Sequence, residues 1–501
     1  MPVNSGRASA VLFDLAALGA GLLLPLAFAP FGWYPLAVVS PALLFLSWGG
    51  AGARRALLRG WLYGVGCFGF GIFWIHESFQ YNQIGLWLAL PLTALLTAGL
   101  ALYPALLGLL VVRLPRGGVA SRMLLVFPAG WVLIEWLRGW LFTGFGWLDL
   151  GYSQIDAPLG GLFPIGGVYA VSYAVALSAG ALAWALHGLR RDRVVGLVAV
   201  ALLWWGAAWL GARQWTEPAG AVLSVALVQG NVPQSRKWLP SMRAVTLKRY
   251  RDLSDRASGA ALTVWPETAL PGFKRQFNAY LADLGRRVRQ RGGDLLLGLL
   301  TRRVGDGRPL NSVLLVGRDR GLYHKRHLVP FGEYLPLASL LGPIVRVLGI
   351  PVADLSPGPD RQRLLEVGGW PIGVSVCYEI AFGEEIRATL PAAAMLVTVS
   401  NDAWFGTSIG PYQHLQIARA RARESGRWLL RATNTGLTAI VAPDGRIVAR
   451  APQFEAAVLS GSATPMRGAT PYVLAGDWPV IVLALAMLLA GALMGRSAVR
   501  R

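Results

Sequence analysis

A run of apolar stretches, each close to the length of a bilayer crossing and joined by short loops that alternate in charge, constrains this chain more than any other feature. A helix needs about 20 apolar residues to cross the hydrocarbon core. Such stretches lie near 10–29, 34–49, 57–75, 86–112, 123–143, 164–186, 194–212 and 478–495, and Pro25, Pro30 and Pro35 break up the first two. The loop after the second holds Arg54, Arg55 and Arg59, and the loop after the fourth holds Arg113, Arg116 and Arg122. Arg190, Arg191 and Arg193 follow the sixth, and Arg496, Arg500 and Arg501 lie in the tail. The intervening loops, FAPFGW, HESFQYNQIG and FGWLDLGYSQIDAPLGG, carry no Lys or Arg. Cytoplasmic loops are the ones enriched in Lys and Arg. The alternation therefore predicts both termini in the cytoplasm and the segment between the seventh and eighth stretches on the far side.

Composition supports a membrane protein. Apolar residues make up 54% of the chain and charged residues 15%, against about 25% charged in soluble domains; the mean hydropathy is +0.48. The net charge of +21 would suggest nucleic acid if it formed one patch. Much of it instead sits in the short Arg clusters, where it reads as a topology signal, so no nucleic-acid partner is expected. Arg7, an apolar run and AFA at 27–29 resemble a cleaved signal peptide. Pro30 directly after the small residue and Asp14 inside the run favour an uncleaved span. Glu135 and Arg138 are three residues apart and can meet on one helix face, which predicts a neutralised pair that makes the fifth span insertable, with a lipid-headgroup contact as the alternative.

From about residue 220 to 468 the pattern changes. VLSVALVQG (222–230), ALTVWPE (261–267), DLLLGLL (294–300), NSVLLVG (311–317), PIGVSVCYE (371–379) and AAMLVTVSND (393–402) are strand-length runs. GLTAIVAPDGRIVAR (436–450) reads as a hairpin turning at Pro443, Asp444 and Gly445. Helical stretches at 241–257, 277–292 and 411–428 separate several strands. The alternation predicts an α/β domain. The chain divides into a seven-span bundle over 1–212, an α/β domain over 213–472 and an eighth span with its tail over 473–501.

Three polar residues stand at or near ends of such runs: Glu267, Lys325 and Cys377. Strand ends feeding loops are where α/β proteins carry chemistry. Each also has a plain structural alternative: a turn acid, part of a basic patch with His324 and Arg326, and a small buried hydrophobe. The chain has only two cysteines, and Cys67 falls within the third span. Thiols on an oxidising extracytoplasmic face usually pair, so an unpaired Cys377 points to a thiol whose reactivity is used.

VWPETALPG, YHKRHLVPFGEYLP, VSVCYEI and SNDAWFG resemble motifs of the nitrilase, or carbon–nitrogen hydrolase, superfamily, which surround a Glu, a Lys and a Cys in that order. With VQGNVPQSRKW and the eight-span frame, the whole chain resembles the apolipoprotein N-acyltransferase family of bacteria. The resemblance implies a polytopic α-helical membrane bundle of about eight spans carrying an α-β-β-α sandwich on the periplasmic face of the inner membrane. It implies acyl transfer from the sn-1 position of a phospholipid, typically phosphatidylethanolamine, to a cysteine. The acyl group then passes to the α-amine of the S-diacylglyceryl cysteine that begins an apolipoprotein. Membrane lipids and these two substrates are the partners implied.

The same chemistry suits the residue types. A thiol attacks an ester as thiolate, Glu267 serves as proton acceptor and donor, Lys325 stabilises an oxyanion, and a Cys377 thioester splits the transfer into two ping-pong steps. No metal or other cofactor is required. Carried over position by position, the resemblance gives Glu333 a second essential acid role and lets Tyr378 and Glu379 shape the pocket. It links Trp238 and Asn311 to substrate or acyl-intermediate handling. Trp238 also reads as an interfacial anchor, and TALPGFKRQF reads either as a lid dipping among headgroups or as a surface loop. Two other functions compete: a tethered periplasmic amidase or nitrilase acting on a small substrate, and a transporter with an accessory domain. A tether needs one span rather than seven, and a transporter needs more buried charge than Asp14, Glu135 and Arg138 supply.

Overall fold

The computed structural model describes residues 3–81, 84–114, 118–187, 189–257, 259–347 and 353–497; Arg116, Arg500 and Arg501 of the expected Arg clusters lie outside them. The chain forms two compact units. One comprises Met1–His76, Gly85–Arg213 and Leu474–Arg501; the other comprises Glu77–Ile84 and Gln214–Val473.

The first unit is helical. Among the described residues, Ala10–Ala27, Leu86–Arg113, Val119–Arg138, Pro158–Leu186 and Arg190–Gly211 are long and apolar enough to cross a membrane by length and composition, and Leu36–Ser47 and Trp478–Met494 are shorter apolar helices. Most of the stretch near 57–75 falls in the helix Ala53–Gly71, which carries the arginines at 54, 55 and 59 in its first two turns and ends four residues short of 75. Small residues let these helices approach closely: a Cβ on Gly60 would lie 2.2 Å from the Pro104 carbonyl oxygen. Asp14 is neutralised by Arg59 at 2.9 Å and also pairs with Arg55.

Arg138 differs from the expectation. Its ion-pair partner is Asp149, at 2.6 Å, rather than Glu135. Its guanidinium also donates to the carbonyls of Phe145 at 2.9 Å and Trp147 at 2.5 Å. Glu135 Oε1 accepts from Trp131 Nε1 at 2.7 Å and from the Leu150 N–H at 2.8 Å. The physical reason lies in the segment after the helix, which contains only short 3-10 turns at Leu141–Thr143, Leu150–Gln154 and Pro158–Leu162. Irregular backbone packed among apolar helices must find internal partners, and the two charged side chains supply them.

The second unit holds a two-residue antiparallel pairing of Glu217–Pro218 with Met466–Arg467 and a sandwich of two six-stranded sheets. Its strands are β1 (Leu223–Gln229), β2 (Leu262–Val264), β3 (Asp294–Arg302), β4 (Pro309–Gly317), β5 (Gly321–His324), β6 (Leu365–Val367), β7 (Trp370–Val376), β8 (Met395–Ser400), β9 (Leu429–Thr433), β10 (Ala439–Val441), β11 (Ile447–Arg450) and β12 (Ala457–Ala463). The first sheet has the order β12-β1-β2-β3-β4-β5 and the second β11-β10-β9-β8-β7-β6. Side chains alternate across a strand, and the two-residue period builds the layers. On β3, Leu296 joins the core between the sheets, with Val374 and Val376 of β7 and Val397 and Val399 of β8. Leu295, Leu297 and Leu299 face the other way, toward α1 (Pro240–Arg256) and α2 (Asn278–Gln290). On the second sheet, α3 (Gly410–Ser425) packs against β9. Strands β1, β2 and β3 are mutually parallel, as are β7, β8 and β9. In such sheets sites form beyond the carboxyl ends of the strands.

Candidate active site

Three segments leaving the carboxyl ends of β2, β7 and β8, together with the chain after β5, carry the candidate residues. Glu267 follows β2 in a turn that lies directly on β3. A Cβ on Gly298 of β3 would sit 2.4 Å from the Thr268 nitrogen and 2.7 Å from the Glu267 Cα, so only glycine lets the turn pack there. The Glu267 carboxylate is buried and held at both oxygens. Asn311 Nδ2 donates to Oε1 at 2.7 Å, and the Asn401 N–H, just beyond β8, donates to Oε2 at 2.9 Å.

Lys325 follows β5 and is 1% exposed. Its ammonium lies 2.7 Å from Glu333 Oε2 and 3.9 Å from Glu267 Oε1. Glu333 also accepts from the Val329 N–H at 2.8 Å and from Asn311 Nδ2 at 3.3 Å. Asn311 therefore ties two carboxylates together while Lys325 lies near both. Burial works to lower the Lys325 ammonium, but Glu333 and Glu267 overcome it and hold the pKa above its ordinary value. Burial pushes the Glu267 carboxyl up, and Glu333 adds to this; Lys325, Asn311 and Lys237 pull the other way.

Cys377 is the first residue after β7 and opens a 3-10 turn, Cys377–Ala381. Its φ is +54°, a left-handed conformation costly for a residue with a Cβ. The turn is clamped at two points. Glu379 Oε2 accepts the Val376 N–H at 2.6 Å, and His414 Nε2 lies 3.1 Å from the Cys377 carbonyl oxygen. A carbonyl only accepts, so Nε2 carries the proton. Burial and the charge of Arg431 lower the His414 pKa, with Asp402 and the Cys377 carbonyl opposing. Nδ1 lies 3.0 Å from Arg431 Nη2 and 3.1 Å from Asp402 Oδ1. Arg431 also pairs with Asp402 at 2.7 Å. Both described cysteines are free, and Cys377 keeps part of its surface exposed. Its thiol is nevertheless pushed up to about 12, chiefly by burial and then by Glu267, with Lys325 opposing. At rest the thiol holds its proton, and a base must remove it during reaction.

The other candidates divide. Asn311 and Glu333 belong to the charged cluster. Glu379, 1% exposed, accepts from Tyr323 Oη at 3.0 Å, from the Arg326 N–H at 2.6 Å and from the His327 N–H at 3.2 Å, besides Val376. It thus fastens the chain beyond Lys325 to the turn that bears Cys377. Tyr378 packs edge-on to Phe382 and His327, with ring centroids 5.0 and 5.7 Å away. Trp238 is 47% exposed and makes no hydrogen bond or ring contact to the charged cluster among the described residues.

Sequence reasoning assigned no role to Asn401, Asp402, His414, Arg431, Gln234 or Lys237. Asn401 and Asp402 stand inside the quoted SNDAWFG, and Gln234 and Lys237 inside VQGNVPQSRKW, so that signal was present. His414 and Arg431 carry none that a single sequence displays. Among the described residues no group of three or more His, Cys, Asp or Glu is placed to hold a metal ion.

The family model for the apolipoprotein N-acyltransferase N-terminal domain matches residues 20–181, and the carbon–nitrogen hydrolase model matches residues 224–470. Apolipoprotein N-acyltransferase of Methylococcus capsulatus is 48% identical over 473 residues, covering 94% of each chain. That of Azotobacter vinelandii is 46% identical, covering 97% of this chain and 96% of its own. That of Vibrio cholerae is 41% identical, covering 95% and 96%. Among solved structures, an amidase from Nesterenkonia sp. AN1 matches 52% of this chain and 98% of its own at 20% identity and a TM-score of 0.38. Nit3 of Saccharomyces cerevisiae matches 51% and 93% at 19% identity and a TM-score of 0.37. With relatives above 40% identity along nearly its entire length, and a sandwich unit that matches the carbon–nitrogen hydrolase model, the chain belongs to the apolipoprotein N-acyltransferase family.

Proposed function

We propose that this protein N-acylates apolipoproteins in the bacterial inner membrane by a two-step transfer through Cys377. Glu267 takes the thiol proton as sulfur attacks the sn-1 ester carbonyl of a phospholipid, with phosphatidylethanolamine as the donor. Lys325 stabilises the oxyanion. When the ester C–O bond breaks, the proton passes to the departing lysophospholipid oxygen and a thioester remains. The α-amine of the diacylglyceryl cysteine then attacks the thioester. Glu267 accepts the amine proton, and the sulfur leaves and recovers a proton as thiol. Glu267, Lys325 and Cys377 form the catalytic trio in this scheme. Asn311, Glu333 and Glu379 support it, and Tyr378 and Trp238 border the substrates.

The observation that carries the reading is the buried Lys325 ammonium 3.9 Å from the Glu267 carboxylate, with the Cys377 thiol within electrostatic reach of both, in a chain of this family. The arginine clusters support a periplasmic catalytic unit and cytoplasmic termini. The test supplies phosphatidylethanolamine with a labelled sn-1 chain, first alone and then with a diacylglyceryl peptide. Mass spectrometry is expected to find the label on Cys377 in the first stage and on the peptide amine in the second. Release of labelled fatty acid to water at the same rate with and without peptide, or no adduct on Cys377, would overturn the proposal and favour a hydrolase.

A further inference from the structure

Lys237 has no place in the scheme above, yet it lies against the base. It is the last residue of the short helix Gln234–Lys237 and is 1% exposed. Its Nζ donates to the Glu267 carbonyl oxygen at 3.2 Å and to Thr268 Oγ1 at 2.6 Å. Among the described residues no carboxylate lies within ion-pair distance of it. A buried ammonium lacking a carboxylate partner is costly, and an apolar side chain of the same volume would fill the space without that cost. The location suggests what the charge is for. Thr268 has φ +46°, a strained conformation for a β-branched residue, and it directly follows the proposed base.

The same short helix reaches the other end of Glu267. Gln234 Oε1 accepts from the Asn401 side-chain amide at 2.8 Å, and the Asn401 N–H holds Glu267 Oε2 at 2.9 Å. Residues 234 and 237 are one turn apart, so one helical turn grips the main chain of Glu267 directly and its carboxylate through one intermediary. Trp238 continues the segment, half exposed.

We propose that Lys237 is a positioning residue for the acyl-transfer base: its buried ammonium locks the strained Glu267–Thr268 turn and places positive charge beside the Glu267 carboxylate. The proposal rests on Glu267 being the base. The charged and titratable groups facing Glu267 are Lys325, Glu333, Cys377 and Lys237, joined by the Asn311 amide and the Asn401 N–H. Of these, Lys325 and Lys237 favour its ionised form. Burial lowers Lys237 itself to about 8, with Glu267 opposing, so below that pH the charge is present.

The experiment measures the rate of Cys377 acylation by labelled phosphatidylethanolamine across pH, without acceptor peptide, for the full-length protein. Rates are divided by the amount of Cys377 acylated at the end point, which removes losses from misfolding. Loss of activity on the acid side reports protonation of the base. Lys237→Met withdraws charge that favours the carboxylate, so that limb should move to higher pH, with the plateau rate falling by up to about 10²-fold, as displacements near 1 Å cause. Lys237→Arg keeps the charge with altered geometry, so its limb should stay at the wild-type pH with an intermediate rate. Thr268→Val removes one acceptor and should lower the rate without moving the limb. A Lys237→Met limb that coincides with wild type overturns the proposal. If that variant yields no acylatable protein, wild-type rates in both Lys237→Arg and Thr268→Val overturn it instead. Acylation of Cys377 at the wild-type rate by the Glu267→Gln variant would show that the base assignment, rather than the role of Lys237, had failed.

Discussion

Replacing Glu333 by Gln removes one negative charge from the cluster while keeping its shape, and the structure gives the sign and size of the result. Asn311 Nδ2 donates to Glu267 Oε1 at 2.7 Å and to Glu333 Oε1 at 3.3 Å, so those two oxygens are no more than about 6 Å apart. At an effective dielectric of about 20, two unit charges at that separation repel by about 3 kcal/mol, or roughly two pKa units. That repulsion helps to hold the Glu267 carboxyl up. Without it, Lys325, already 3.9 Å from Glu267, acts on that carboxylate alone. Glu267, the proposed base, becomes weaker, and the acid limb of Cys377 acylation should move to lower pH by about one to two units. The plateau rate should also fall, on the order of 10²-fold, because a weaker base takes the thiol proton less readily. The assay is single-turnover acylation by labelled phosphatidylethanolamine from about pH 4 to 9. Breaking a buried pair also destabilises by about 3–5 kcal/mol, so each rate is referred to acylatable protein. A limb that stays in place or moves to higher pH would refute the electrostatic reasoning and leave Glu333 only a scaffolding part.

Cys67→Ala is expected to leave acylation near wild type, because Cys67 lies in the helical unit; a tenfold loss in a folded variant would contradict this. Burial raises Glu379 from its ordinary 4.5 to about 7 against the pull of its N–H partners. A raised carboxyl favours the folded state fully at pH below its unfolded value, and that benefit is lost as pH rises to about 7, a change of about 3 kcal/mol. Glu379→Gln should therefore flatten the pH dependence of stability between about 4.5 and 7, measured by exchange of the Val376 and Arg326 amides; an unchanged slope would contradict it. His414→Ala frees the Cys377 carbonyl from its clamp and should lower the acylation plateau about tenfold while leaving the acid limb in place. A shifted limb would mean that His414 exchanges protons in the reaction.

Much of this site was legible in the sequence because motif residues and strand ends coincide. Glu267 and Cys377 follow short apolar runs of strand length, and β2 and β7 end three residues before Glu267 and directly before Cys377. The strands left unread were β5, β6, β9 and β12. Strand β9 is LLRAT, with Arg431 in its centre, and a charge there breaks the apolar pattern. It is tolerated because Asp402 and His414 meet the guanidinium in the interior. Such partners are long-range, and no spacing rule predicts them. The pairing of Arg138 with Asp149 failed to show for the same reason: i,i+3 spacing on a helix is local, whereas irregular backbone returning onto that helix is not. Gly298 is the subtler case. As a residue in an apolar strand it looks like a mild defect, yet its missing Cβ makes room for the turn that bears Glu267.

The charges of the cluster also explain how a thiol can be kept ready without being kept reactive. Catalytic cysteines that rest as thiolates owe this to nearby positive charge that outweighs burial. Here Lys325 cannot fill that role alone, because Glu333 and Glu267 already engage its ammonium. Burial and Glu267 consequently win at Cys377, and the thiol stays protonated. In the proposed reaction the balance changes when an ester carbonyl arrives. Charge developing on its oxygen gives Lys325 a third anion to stabilise, while the sulfur becomes more acidic as its bond to carbon forms. Proton transfer to Glu267 thus becomes favourable in the transition state and not before, where stabilisation raises the rate rather than only tightening binding. The arrangement limits oxidation as well, since the thiolate is the form that oxidants attack. It also implies that thiol reagents without an attached carbonyl should modify Cys377 slowly at neutral pH. Withdrawing Glu267's charge by Glu267→Gln should lower the thiol pKa and make Cys377 alkylate faster with iodoacetamide even as acyl transfer is lost. If that variant alkylates no faster than wild type, Glu267 does not hold the thiol protonated at rest, and this account of the resting site fails.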